Sequence, residues 1–134
     1  MMKYKRLILL VMLVIFLALV ISLNVHAQKD VFVPDGCELL RCTCYIPTGN
    51  KTATGITPYE GICASNKDHL GQVAVVYDMN LQIIGYFECR DTGSHQGLKD
   101  GTRIDIFREN KTRVKEWQKT VGDYVIVQWV KGEG

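Results

Sequence analysis

Asp91 and Asp105 are the residues of this 134-residue chain best placed to move a proton. Asp91 follows an apolar run, Ile83-Ile84-Gly85-Tyr86-Phe87, and opens the turn Asp91-Thr92-Gly93-Ser94. Asp105 stands between two isoleucines in Arg103-Ile104-Asp105-Ile106-Phe107. Burying an unpaired charge is expensive, so a carboxylate among apolar neighbours needs a partner or a task. Two such groups, fourteen positions apart on strands that can lie side by side, predict a shared acid/base site. Delivering a proton to a leaving oxygen at neutral pH requires a carboxyl raised above the ordinary aspartate value of about 3.9. Apolar burial or a second carboxylate raises it, and for Asp91 the candidates are the Ile83/Phe87 face and Asp105. The plainer reading is that both aspartates cap turns and accept backbone N–H groups, as Asp does in many loops.

The elements that must position these groups are mostly strands. Val73-Ala74-Val75-Val76-Tyr77 is an unbroken apolar run, and Asp78-Met79-Asn80 is a hairpin turn into the next strand. Along residues 83–91, strict alternation puts Ile83, Gly85, Phe87, Cys89 and Asp91 on one face and Glu88 on the other, in solvent. Arg41 to Ile46, Gly61 to Ser65 and Tyr124 to Val130 read as further strands, separated by polar loops around 47–55 and 66–69. Asn110 to Val121 reads as the one good helix of the domain, with Val114, Trp117 and Val121 on one face and Gly122 as its stop. His69 and His95 fall in polar loops and read as surface residues. Six or seven short strands and one helix predict a small, mainly-β barrel over residues 40–134, preceded by a linker at 28–39.

The N-terminus supplies the compartment. Lys3, Lys5 and Arg6 precede an apolar run from Leu7 to Leu23 without a charge, and Val25-His26-Ala27 then resembles a cleavage site. These are the parts of a secretory signal peptide over residues 1–27, with the cut expected after Ala27. The run also approaches the ~20 residues that span a bilayer, so an uncleaved anchor through residues 7–25 is the alternative. Either way, residues 28–134 are expected outside the cytoplasm, as a monomer. Without the first 27 residues the basic count falls from 16 to 13 against 14 acidic residues. No basic stripe remains that would argue for nucleic acid. All five cysteines (Cys37, Cys42, Cys44, Cys63, Cys89) lie in the exported part, where disulfides persist, and their odd number leaves at least one thiol over. Cys42 and Cys44 share a strand face, which disfavours a bond between them. The absence of a CxxC or Cys/His pattern argues against a structural zinc, and neither metal nor cofactor is expected.

Several motifs, in order, resemble the 3D domain of bacterial cell-wall proteins, a family named for three aspartates. They are Cys42-Thr43-Cys44-Tyr45, Thr52-Ala53-Thr54-Gly55, Asp91-Thr92-Gly93 and Arg103-Ile104-Asp105-Ile106-Phe107, with Trp117 and the valine-rich last strand. The resemblance covers roughly residues 40–131. It implies a six-stranded double-psi β-barrel and a lytic transglycosylase acting on the MurNAc-GlcNAc β-1,4 bond of peptidoglycan. Asp91 takes the catalytic acid/base position, Asp105 that of its electrostatic partner, and Thr54, Tyr45, Thr92 and Gly93 those of substrate contacts. The chain departs from the family at its first aspartate, where Asn66 aligns and Asp68 follows two residues on. Ser94 replaces a glycine.

Two other readings fit parts of the sequence. A non-catalytic wall-binding or interaction module on the same barrel is the nearer one, since a fold does not set a function. Asp-Thr-Gly-Ser is also the aspartic-protease signature, in which two half-sites share a proton. That family, however, has an apolar residue before the aspartate, where this chain has Arg90.

Overall fold

The computed structural model describes residues 2–26 and 30–132. The chain divides into one unit ending at Phe32 and another beginning at Val33. In the first, α1 (Met2–His26) is a single helix. Its stretch Lys3–Ser22 has a mean hydropathy of 2.6, long and apolar enough to cross a membrane, as a secretory signal sequence also is. Ala27, the expected cleavage position, lies outside the described residues.

The second unit is built from β1 (Glu38–Tyr45), β2 (Ile62–Ala64), β3 (Val73–Tyr77), β4 (Ile83–Asp91), α2 (Gln96–Asp100), β5 (Arg103–Phe107), α3 (Lys111–Val121) and β6 (Tyr124–Val130). The strands close into a mixed barrel in the order β1-β5-β2-β4-β3-β6, with β6 returning to β1. β1 with β5 and β2 with β4 are parallel pairs, and the remaining pairs are antiparallel. β1 begins three residues before the expected Arg41, inside the stretch read as linker, because Glu38, Leu39 and Leu40 pair with Val127, Ile126 and Val125.

Alternation decides what each strand buries. Leu40 and Cys42 on β1 meet Ile104 and Ile106 on β5 in the central core, with Cys63, Phe87 and Cys89 from β2 and β4. The intervening residues form a second layer on the opposite face, where Tyr45 and Phe107 pack edge to face at 5.3 Å beside fully buried Ile62.

Strict alternation fails on β4, and the cause is two bulges. The first lies between Val76 and Tyr77, so that Tyr77 pairs with Ile83 while Val76 pairs with Gly85. Ile83 is therefore 52% exposed and Ile84 packs against the core in its place. The second lies between Cys63, which pairs with Cys89, and Ala64, which pairs with Asp91. It takes Asp91 off the Phe87/Cys89 face on which simple counting put it.

α3 is bounded as its sequence predicts. The Asn110 side chain accepts from the Arg113 N–H, and Gly122 takes the positive φ of 84° that ends the helix. Lys111 to Val121 thus carries Trp117 onto the core. A second helix of the barrel unit, α2, occupies the stretch read as polar loop. His95 caps it, its Nδ1 accepting from the Gly97 N–H. His69 is likewise no isolated surface residue, since its ring stacks on Trp129 at 4.0 Å.

Glu60 fastens the segment before β2 to the start of α3. Its carboxylate takes the Arg108 guanidinium at 2.7 Å, Arg113 at 3.3 Å and the Glu109 N–H at 3.0 Å. Burial works against its charge, but the Glu109 N–H and the two guanidiniums outweigh burial and hold the carboxyl below its ordinary range. A carboxyl lowered by folding contributes stability fully above its unfolded value of 4.5, and loses that contribution as pH falls through the folded value. Wild-type protein is therefore expected to lose urea midpoint between about pH 5 and pH 3 more steeply than Glu60→Gln. Parallel slopes in the two proteins would refute the assignment.

Candidate acid/base site

The site is a row of four residues across neighbouring strands. Thr43 on β1 pairs with Asp105 on β5, Asp105 with Ala64 on β2, and Ala64 with Asp91 on β4. Directly paired residues share a sheet face, so the row lies on the face opposite the cysteine-rich core. The two aspartates flank Ala64, two strand spacings or about 9–10 Å apart at their Cα atoms. Chain order hides this, because β5 threads between β1 and β2.

Asp91 is held by backbone amides. Its Oδ1 accepts from the Thr92 N–H and the Ala53 N–H, each at 2.9 Å. Among the described residues both of these backbone bonds fall on Oδ1. Ala53 comes from the Thr52-Ala53-Thr54-Gly55 segment, which folds back on itself through Gly55 N–H to Thr52 carbonyl at 2.9 Å, with Gly55 at φ 81°. The Thr54 hydroxyl donates to the Arg90 carbonyl at 2.8 Å and lies 3.1 Å from the Thr52 hydroxyl. The loop is thus pinned to β4 immediately before Asp91. Thr54, expected as a substrate contact, spends its hydroxyl on that anchoring.

Asp105 is engaged differently. Its Oδ1 accepts the Thr43 hydroxyl at 2.6 Å, the Arg103 Nε–H donates to Thr43 Oγ1 at 2.7 Å, and the guanidinium lies 3.8 Å from the carboxylate. With its side chain only 14% exposed, Asp105 is a paired, half-enclosed charge. Alternation on β1 already sets Thr43 apart from Cys42 and Cys44. Its meeting with Asp105 depends on a parallel pairing that no local pattern announces.

Tyr45 points into the same place. Its hydroxyl is buried and forms no hydrogen bond of acceptable geometry, although it faces Asp91. Burial first, then the charges of Asp91, Cys63 and Asp105, push it up and keep it protonated. An enclosed O–H beside a carboxylate is a group that steadies Asp91, and it has no open approach to a sugar.

A cleft of about 420 Å³ is lined by Ser65, Asn66, Thr92, Gly93, Leu98 and Lys99 among others, so it includes the two residues after Asp91 but not Asp91 itself. A Cβ at Gly93 would lie 2.5 Å from the Leu98 Cδ1 methyl of α2, so that side chain would have to shift to admit one. Thr92 and Gly93 both line this cleft. Asn66, at the aligned position of the family's first aspartate, caps the 3₁₀ turn Lys67–His69. Its Oδ1 accepts from the Asp68 N–H at 2.9 Å, and its Nδ2 donates to the Lys99 carbonyl. An amide performs both tasks, whereas a carboxylate cannot donate the second bond. Among the described residues no group of three or more His, Cys, Asp or Glu side chains is placed to hold a metal ion.

Compared with known proteins, the chain matches no family model, no curated protein and no solved structure. The site is a carboxylate held through one oxygen by two amides, followed in the chain by two residues that line a cleft, with one strand lying between it and the row's second carboxylate. Such an arrangement can exchange a proton with a bound ligand.

Proposed function

We propose that this protein acts outside the cytoplasm on the glycan strands of peptidoglycan, as a lytic transglycosylase with Asp91 as its acid and then its base. In the first half-reaction the Asp91 carboxyl protonates the glycosidic oxygen as the C1–O bond of the muramyl residue breaks. In the second, the resulting carboxylate removes the proton from the muramyl C6 hydroxyl, whose oxygen closes on C1 to give the anhydro ring. The proton returns to Asp91, and neither water nor a cofactor is consumed. Asp105, held by Arg103 and Thr43, contributes a fixed negative charge near the positive charge that develops at C1. The observation that carries this reading is the placement of Asp91: amides hold its Oδ1, and the two residues that follow it, Thr92 and Gly93, line a cleft. The six-stranded ring with two parallel and four antiparallel pairs also supports a double-psi barrel.

A specific observation favours the second reading, a wall-binding module without catalysis. Asp105 is committed to an ion pair, and Asn66 fills the first aspartate position with an amide bonded on both sides. The test that separates the two is digestion of purified peptidoglycan by the wild-type protein, with mass spectrometry of the soluble products. Anhydro-muropeptides are expected. Their absence, with the protein still pelleting with the wall, would establish binding alone.

A further inference from the structure

We infer that Cys63 and Cys89 are joined by a disulfide in the exported protein, a cross-link between β2 and β4 directly behind Asp91. The two are strand partners in the parallel β2–β4 pair. Partner Cα atoms on adjacent strands lie about 4.7–4.9 Å apart, within the roughly 4.4–6.8 Å that a disulfide spans. Both side chains are fully buried in the central core and face each other across the strand pair, where they are thiols in this structure.

Neither Cys42 nor Cys44 competes for either partner. Cys44 lines up with Ile106, which pairs with Cys63, so two strand spacings or about 9–10 Å separate Cys44 from Cys63. Cys42 is one pair further along β1, and its sulfur already accepts the Trp117 Nε1–H at 3.4 Å.

The chemistry is an exchange with an external disulfide, such as that of an extracytoplasmic thiol oxidase or oxidised glutathione. One of the two cysteine thiolates attacks it, forming a mixed disulfide and expelling one thiolate. The thiolate of the other cysteine then displaces the second, forming the Cys63–Cys89 bond. Two electrons pass to the external disulfide, which leaves as two thiols carrying the two protons. Neither sulfur is reachable in the closed barrel, so the exchange precedes barrel closure.

Peptide mapping tests this without altering the protein. The full chain is exported into an oxidising compartment, denatured in N-ethylmaleimide and cut with trypsin, without reductant. Cleavage after Lys51, Lys67 and Arg90 places the two cysteines in separate peptides, 52–67 and 68–90. The expected product is these two peptides linked and free of maleimide. Both peptides carrying maleimide, or either linked to a peptide with Cys37, Cys42 or Cys44, would overturn the inference. Reduction should also lower Tm by on the order of 10 °C in wild-type protein. The Cys63→Ala/Cys89→Ala variant should show no such drop, and an equal drop there would assign the effect to a different bond. None of these readouts depends on wall activity.

Discussion

Asp91→Asn is expected to lower anhydro-muropeptide release by about 10²–10⁴-fold, the range that general acid–base catalysis contributes, while leaving the unfolding midpoint nearly unchanged. The asparagine side chain keeps an oxygen where Oδ1 accepts the Ala53 and Thr92 N–H groups, so the Thr52–Gly55 turn stays anchored. What it removes is the ionisable proton. Asp91→Ala is the complementary variant. It strands two amides and is expected to cost about 1–3 kcal/mol of stability, measured by urea unfolding. A purely structural Asp91 would give the reverse pattern, with the asparagine variant fully active and only the alanine variant impaired. Full glycan cleavage by Asp91→Asn would end the catalytic assignment.

Trp117→Ala is expected to destabilise the barrel by about 3–5 kcal/mol, the largest effect of any single side chain discussed above. Trp117 is the residue by which α3 is attached. Its ring meets Phe87 edge to face at 5.7 Å, its Nε1–H reaches Cys42, and the Arg108 guanidinium lies 4.2 Å from the ring centroid. Removing it opens a cavity against the core and takes away the surface on which a cation only 11% exposed rests. Small domains hold only about 5–15 kcal/mol in total, so the variant should unfold at a much lower urea concentration. Trp117→Phe keeps most of the packing and loses the N–H, and is expected to fall between the two. An unchanged midpoint for Trp117→Ala would mean that α3 contributes nothing to the barrel.

The parts legible in the sequence are those set by local chemistry. Val73–Tyr77 and Arg103–Phe107 show as strands because their apolar and β-branched residues admit little else, and α3 shows because Asn110 and Gly122 mark its ends. Asp91 and Asp105 were recognisable as unusual carboxylates for the same reason. Their surroundings were not legible. The face that Asp91 occupies depends on a bulge opposite Cys63 and Ala64, and a bulge leaves no signature in alternation. The partners of Asp105 come from Thr43, sixty-two residues away, and from Arg103 acting through that threonine. α2 escaped notice because it is five residues long and capped by a histidine, a residue outside the usual capping set. The family motif makes Tyr45 a candidate sugar contact, and only the folded structure shows its hydroxyl buried and its ring packed on Phe107.

The position of β6 in the ring has a consequence for how the chain reaches its native state. β6 pairs on one side with β1 and on the other with β3, so both of those strands keep an open edge until the last strand arrives. A nascent or translocating chain can pair β3 with β4 through the hairpin at Asp78, but it cannot close the barrel while residues 124–130 are still in transit. Folding is therefore an event of the complete chain, governed by contacts distant in sequence, and is expected on the slow, millisecond-to-second scale of such topologies. During that interval the pairing surfaces of β1 and β3 are open to other chains.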